Sequence, residues 1–215
     1  MKIALCFFGQ IRDLQDGFIE YSQNLLNKYD IDIFAHIWND SNIDTFTKLY
    51  NPVSHIFEDQ ISFDMSRYPD AYGIELQHSS AYERAFNSIS QLYSFSTVCK
   101  LRSDYETKQG IKYDLCIKSR VDTCFKSFDI NLMDLTLDQY HVPSDPAGFI
   151  YNDVLAIASP KIMDIVATRY DKLTDWYNSG DCNFIPEYIT NKILNENDIM
   201  INRVNGLHCD LYRNK

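Results

Sequence analysis

Four short polar stretches in this chain carry residue types that can do chemistry. The first is Gly9-Gln10-Ile11-Arg12-Asp13, directly after an apolar run. Glycine lets a ligand approach the backbone closely, and arginine presents a planar fork that matches a phosphate. The competing reading is a tight turn with an exposed Arg. The second stretch is His36-Ile37-Trp38-Asn39-Asp40. A His and a Trp at a strand end can stack on or hydrogen-bond a base or sugar, although a core histidine and a packed indole explain them as well. The third is Lys118-Ser119-Arg120-Val121-Asp122. A carboxylate emerging from a strand end can hold a divalent cation, and the cation can neutralise a diphosphate. A surface Arg–Asp pair is the plain alternative, and it is worth little for stability. The fourth is Asn152-Asp153. An Asp at a sugar-sized pocket can act as general base toward a hydroxyl, and a turn carboxylate is the alternative. Glu187 follows Pro186, where helices favour acids on electrostatic grounds alone. His208 is a candidate metal ligand.

Positioning these residues requires a scaffold of alternating strands and helices. Apolar runs predict strands at Ile3–Phe8, Ile31–His36, Val53–Phe57, Leu115–Lys118, Tyr140–Val142 and Val154–Ala158. A helix is expected near Phe18–Lys28. The longest helical pattern runs from Tyr82 to about Lys108, with Ala85, Ile89, Leu92, Ser96 and Cys99 at spacings of three and four, and Gly110 stops it. Pro160, capped by Ser159, opens a helix to about Tyr170, and Pro186 opens another to about Asn195. Residues 60–80, with Pro69 and Gly73, read as a surface loop. Such alternation implies an α/β fold with a mostly parallel sheet covered on both faces. Ligands then bind at the carboxyl ends of the strands. The loops after Phe8, His36 and Lys118 and near Tyr151 are therefore the ones that matter. The D-x-D at Asp30-Ile31-Asp32 precedes its strand and lies at the wrong end.

Composition narrows the function classes. The 215 residues suit one domain, or one domain with an appendage. Twenty basic against thirty acidic side chains give a net charge of −10, which disfavours a grip on a nucleic-acid backbone. No stretch approaches the roughly 20 apolar residues of a membrane helix. The six cysteines form no C-x-x-C pair, and Cys6 and Cys116 sit in apolar runs as buried thiols. This usage points to a reducing, cytoplasmic compartment. The dinucleotide fingerprint G-x-G-x-x-G and the P-loop pattern are absent.

Five segments together resemble a known family. They are KIALCFFGQIRDL, DIFAHIWND, SISQLYSFSTVCKL, YDLCIKSRVD and NDVLAIASPKIMDI. In this order they resemble small glycosyltransferase-like proteins of the GT-A fold, found in bacterial polysaccharide gene clusters and large DNA viruses. The resemblance covers nearly the whole chain. It implies a nucleotide-sugar-binding half over residues 1–122 and an acceptor and catalytic half over 123–215. By this resemblance Gly9, Gln10, Arg12, His36, Trp38, Asp40, Gln91, Ser94, Arg120 and Asn152 hold the donor, with UDP as the default nucleotide. Arg120 stands where the first Asp of the family's D-x-D motif is expected, which leaves Asp122, with His208 as a further candidate, to hold manganese or magnesium. Asp153, or else Glu187, takes the proton of a glycan hydroxyl if the transfer inverts the anomeric carbon. A non-catalytic nucleotide-sugar-binding module and a sugar-nucleotide pyrophosphorylase-like protein are the alternatives. The length also suits one domain of a larger transferase.

Overall fold

Strand β1 (Ile3–Gly9) is apolar at nearly every position because both of its faces are buried. The computed structural model describes residues 1–69, 80–144 and 151–212. Pairing β1 with β2 (Ile31–Trp38) on one side and β4 (Leu115–Ser119) on the other, both parallel, builds the centre of the sheet. β3 (Ser54–Glu58) adds to β2 in parallel and forms one edge. β7 (Leu155–Ala158) runs antiparallel to β4, and β6 (Tyr140–Pro143) and β8 (Ile201–Val204) complete the order β3-β2-β1-β4-β7-β6-β8. The fold is thus α/β with a seven-stranded, mostly parallel sheet. Strands from residues 1–122 and from 123–215 share that one sheet.

The period-2 alternation of strand side chains splits the core into two layers. Ala4, Cys6, Phe8 and Cys116 face α3 (Ser80–Gln109), α4 (Pro160–Ala167), α5 (Arg169–Asn178) and α6 (Pro186–Glu196). Ile3, Leu5, Phe7, Leu115 and Ile117 face α1 (Leu14–Tyr21) and α2 (Ile43–Tyr50). The small antiparallel pair β5 (Thr123–Phe128) and β9 (Leu207–Leu211) adds Phe125, Phe128, Leu207 and Cys209 to this second layer. None of the six cysteines forms a disulfide, and Cys6 and Cys116 are fully buried. Among the described residues no helix is long and apolar enough to cross a membrane.

Several boundaries differ from the sequence expectation. The first helix begins at Leu14, not Phe18, and passes into a π-helical turn at Ser22–Leu26. It takes in Gly17, whose intrinsic helix propensity is poor. A Cβ on Gly17 would stand 2.1 Å from the carbonyl oxygen of Val121, so glycine is what allows α1 to touch the Arg120–Asp122 turn. Gly17→Ala must push two backbones apart. It is expected to cost about 2–3 kcal/mol, the upper range for overpacking, read as a drop in melting temperature. Phe95, not Ser96, continues the buried stripe of α3. The helix opened by Pro160 breaks at Thr168, where Thr168 Oγ1 and Arg169 Nε hydrogen-bond the carbonyls of Ile165 and Val166 at 2.7 Å each. Helix α2 and strands β5, β8 and β9 were not expected. Of the loop expected over 60–80, Met65–Arg67 form one 3₁₀ turn, and residues 70–79, with Gly73, lie outside the described residues. So does the stretch 145–150 before Tyr151.

Candidate functional site

The sheet order dictates where a ligand can enter. From β1 the chain moves outward to β2 and β3, then returns along α3 to place β4 on the other side of β1. This reversal opens a crevice beyond the carboxyl ends of β1 and β4, the place where α/β sheets bind ligands. An open crevice of about 640 Å³, counting the part that merges with solvent, lies there. Phe8, Gly9, Gln10 and Arg12 line it from the end of β1, Trp38 from β2 and Arg120 from the turn after β4. The remaining wall is Gln60 with Asn87, Ser90 and Gln91 of α3. Because β7 runs antiparallel, the residues before it also reach this edge. Leu155 is in register with Ser119, which brings Asp153 to the end of β4.

Each loop is fixed by buried hydrogen bonds. Gly9 has φ +95°, a conformation open to glycine, and its N–H donates to Ser94 Oγ at 2.9 Å. The Ser94 hydroxyl lies 2.6 Å from His36 Nδ1, and His36 Nε2 is 2.8 Å from Glu58 Oε1. Tyr93 donates to the same Glu58 oxygen at 3.1 Å. Burial pushes the His36 ring below its ordinary pKa, against the pull of Glu58. In a neutral ring protonated at Nε2, Nε2–H donates to Glu58, and the one proton of the Ser94 hydroxyl faces both His36 Nδ1 and the His36 carbonyl oxygen, the latter at 3.1 Å. This relay ties the ends of β1, β2 and β3 to α3. His36 and Ser94 are fully buried. They do not reach the crevice as the donor-binding expectation required; they hold Gly9 and Trp38, which do. Trp38 stacks on Tyr93, with ring centroids 5.8 Å apart.

The turn after β4 is clamped from α1. Tyr21 OH donates to the Arg120 carbonyl at 2.7 Å and lies 2.5 Å from Ser119 Oγ. Thr123 Oγ1 donates to the same carbonyl at 2.9 Å. Glu20 accepts from Phe125 N–H at 3.3 Å and from Tyr212 OH at 2.9 Å, while Tyr212 N–H donates to the Asp122 carbonyl at 2.8 Å. Within this turn Arg120 Nε and Nη2 donate to Asp122 Oδ1 and Oδ2 at 2.9 and 2.7 Å. Asp122 is 1% exposed, whereas the Arg120 side chain keeps 30% of its surface on the crevice.

This geometry bears on the expected metal ligand. Both Asp122 oxygens accept from a guanidinium, so Asp122 steers Arg120 and presents no open carboxylate to a cation. His208 lies opposite Ser127 on β9, four residues before Tyr212, and Ser144 Oγ is 3.3 Å from its Nε2. It shares no donor set with Asp122. No cluster of three or more His, Cys, Asp or Glu side chains suited to a metal occurs among the described residues. The donor set does not fit manganese or magnesium.

Other expected site residues divide similarly. Asp40 is exposed and its Oδ1 accepts from Asn42 N–H at 2.8 Å and Asn42 Nδ2 at 2.7 Å, a local turn before α2 away from the crevice wall. Asn152 is buried; its Nδ2 donates to the Cys209 carbonyl at 2.6 Å and its Oδ1 accepts from Val154 N–H at 3.0 Å. It staples β9 to the start of β7. Gln91 does line the crevice and donates to Asp153 Oδ2 at 3.1 Å. Asp153 thus stands beside the crevice, joined to it through Gln91, with its side chain 23% exposed. Glu187 is buried in the first turn of α6, and Tyr151 OH lies 3.5 Å from its carbonyl oxygen. At the opposite edge, Asp32 binds Lys2 at 2.9 Å and Tyr113 OH at 2.6 Å, as expected for the wrong end of the sheet.

Phe8, Gln60, Asn87 and Ser90 were not foreseen in the site. For α3 a signal existed: Asn87, Ser90, Gln91 and Ser94 recur at spacings of three and four beside the apolar stripe, a polar stripe on a largely buried helix. No family model matches the chain, and no curated protein sequence matches it.

Proposed function

We propose that this chain transfers a glycosyl group from a nucleoside-diphosphate sugar, by default a UDP-sugar, to a hydroxyl of a glycan. The observation that carries this reading is the pair of guanidinium groups, Arg12 and Arg120, on the wall of a crevice at the reversal point of an α/β sheet. Two forks at the carboxyl ends of β1 and β4 suit a diphosphate, through charge-assisted and bidentate hydrogen bonds. Trp38, with Gln60, Asn87 and Gln91 around it, offers an aromatic surface and amide groups for a base or sugar. The resemblance of the five sequence segments to GT-A glycosyltransferases points the same way.

In this mechanism the acceptor oxygen attacks the anomeric carbon as its bond to the diphosphate breaks. Arg12 and Arg120 stabilise the charge that develops on the departing phosphate. Asp153 takes the acceptor proton as general base, with inversion at the anomeric carbon. Gln91 fixes one Asp153 oxygen and leaves the other to the acceptor. No step passes through a metal. The test is donor turnover with a panel of nucleotide sugars and glycan acceptors in the presence of EDTA. Asp153→Asn should lower kcat about 100-fold or more and leave nucleoside-diphosphate affinity unchanged. Full turnover by Asp153→Asn would remove the base from the scheme.

A further inference from the structure

Beneath the crevice lies a charge that the mechanism so far does not use. Lys118, on β4, is 1% exposed. Its Nζ donates to the Asp153 carbonyl at 3.0 Å and stands 4.0 Å from Asp153 Oδ2. The ammonium also sits over the rings of Phe8 and Phe95, at 5.5 and 5.8 Å from their centroids. Phe8 is a crevice residue, so Lys118 lies one layer below the wall. A lysine is seldom buried this completely, and an ordinary core would place an apolar residue at such a position.

We propose that Lys118 is the positioning residue for Asp153, fixing by one buried ammonium both the backbone and the carboxylate of the base. The inference rests on the transferase reading and deepens it. Asp153 belongs to the segment that follows residues 145–150 and precedes β7. Asn152 ties this segment to β9, and Lys118 ties it to β4. Gln91 holds the same carboxylate oxygen from α3 by a hydrogen bond, while the Lys118 ammonium, 4.0 Å away, acts on it by charge.

The charges around Lys118 come from every neighbouring element. Asp153 before β7 and Glu187 on α6 favour the ammonium; Arg169 on α5 opposes it, and Cys99 on α3, a thiol that burial keeps protonated, adds no charge. Burial outweighs the favourable charges and brings Lys118 down to about 8. Deprotonation above that pH removes the tie to the Asp153 carboxylate. Transfer should therefore fall as the pH rises through about 8.

The test separates this proposal from the transferase reading. UDP, GDP and ADP are first titrated into the full chain and the melting temperature is followed. Absence of any shift overturns the transferase reading, and the proposal with it. Lysine side-chain NMR from pH 6 to 11 then follows Lys118, identified by comparison with Lys118→Met. The expected midpoint is about 8, falling by about one unit in Asp153→Asn. An ordinary lysine midpoint, or one indifferent to Asp153→Asn, overturns the positioning role even where nucleotides bind. Turnover supplies the last arm. Wild type should lose kcat above pH 8, Lys118→Arg should carry that limb to higher pH, and Lys118→Met should lower kcat about 10-fold or more with an unchanged donor KM. A purely structural lysine would leave the limb where it is in Lys118→Arg, and that result overturns the proposal.

Discussion

Asp122→Ala is expected to weaken nucleoside-diphosphate binding about 10-fold and to destabilise the fold by about 3 kcal/mol. The second figure is the low end of the range for breaking a buried ion pair, because the Arg120 side chain is 30% exposed. At the usual 2–4 °C per kcal/mol for a chain of this size, the melting temperature should fall by about 6–12 °C. The affinity loss follows from geometry. Asp122 holds both Nε and Nη2 of Arg120, and without it the guanidinium no longer presents one fixed edge to a phosphate. The double variant Arg120→Ala/Asp122→Ala should recover part of the stability, since removing both partners leaves no unpaired charge, and none of the affinity. A metal ligand would behave differently. Manganese would then raise the affinity of wild type, and Asp122→Ala would erase that increment. The Arg120–Asp122 geometry predicts no increment in either form. Calorimetric titration of UDP and thermal unfolding, each with and without manganese, check both parts.

Lys118→Met should stabilise the protein at neutral pH while impairing transfer. Lys118 is brought from 10.5 to about 8 by burial. At 1.36 kcal/mol per pH unit, the folded state carries a cost of about 3 kcal/mol while the amine is charged in both states. The sign follows from proton counting. Below pH 8 the folded and unfolded chains both hold the proton, and the cost is complete. Between about 8 and 10.5 the unfolded chain binds more protons than the folded one, so wild-type stability rises with pH. Above 10.5 both forms are neutral and the cost is gone. The advantage of Lys118→Met over wild type at pH 7 is this cost less the hydrogen bond to the Asp153 carbonyl that the substitution removes, about 1–2 kcal/mol net, and it should shrink toward pH 10.5. Urea unfolding of both chains across this range measures it. Equal stability at pH 7, or a gap that widens with pH, would contradict the buried-ammonium account.

How much of this was legible in the sequence depends on distance along the chain. The run Ile3–Phe8 reads as a central strand because it is apolar on both faces, and the rule that ligands sit at carboxyl ends then selects Gly9, Gln10, Arg12 and Arg120. These four do line the crevice. Helix α2 was missed because Ile43, Thr45 and Thr47 are β-branched, and local propensity does not favour the helix. Phe46 and Tyr50 hold it by packing on Phe7, at 6.0 and 4.9 Å. Strand β5 was missed because Lys126 and Ser127 interrupt its pattern, and its partner β9 comes about eighty residues later. The partners of the polar residues were illegible for the same reason. His36 finds Glu58 and Ser94, 22 and 58 residues away, and spacing shows neither. Asp122 looked like a metal ligand from its place in a D-x-D-like pattern, yet its partner is Arg120, two residues before it. The turn between them brings the fork onto the carboxylate, and nothing in residue types alone separates that pair from an open ligand.

The central claim is that Arg12 and Arg120, with no metal between them, hold the diphosphate of a nucleotide sugar. Calorimetric titration of UDP, GDP and ADP into the chain in EDTA tests it most directly, with Arg12→Ala and Arg120→Ala as comparisons. The account predicts saturable binding of one nucleoside diphosphate in EDTA, weakened about 10-fold or more by each substitution. Binding that appears only with manganese, or that neither substitution alters, would contradict it.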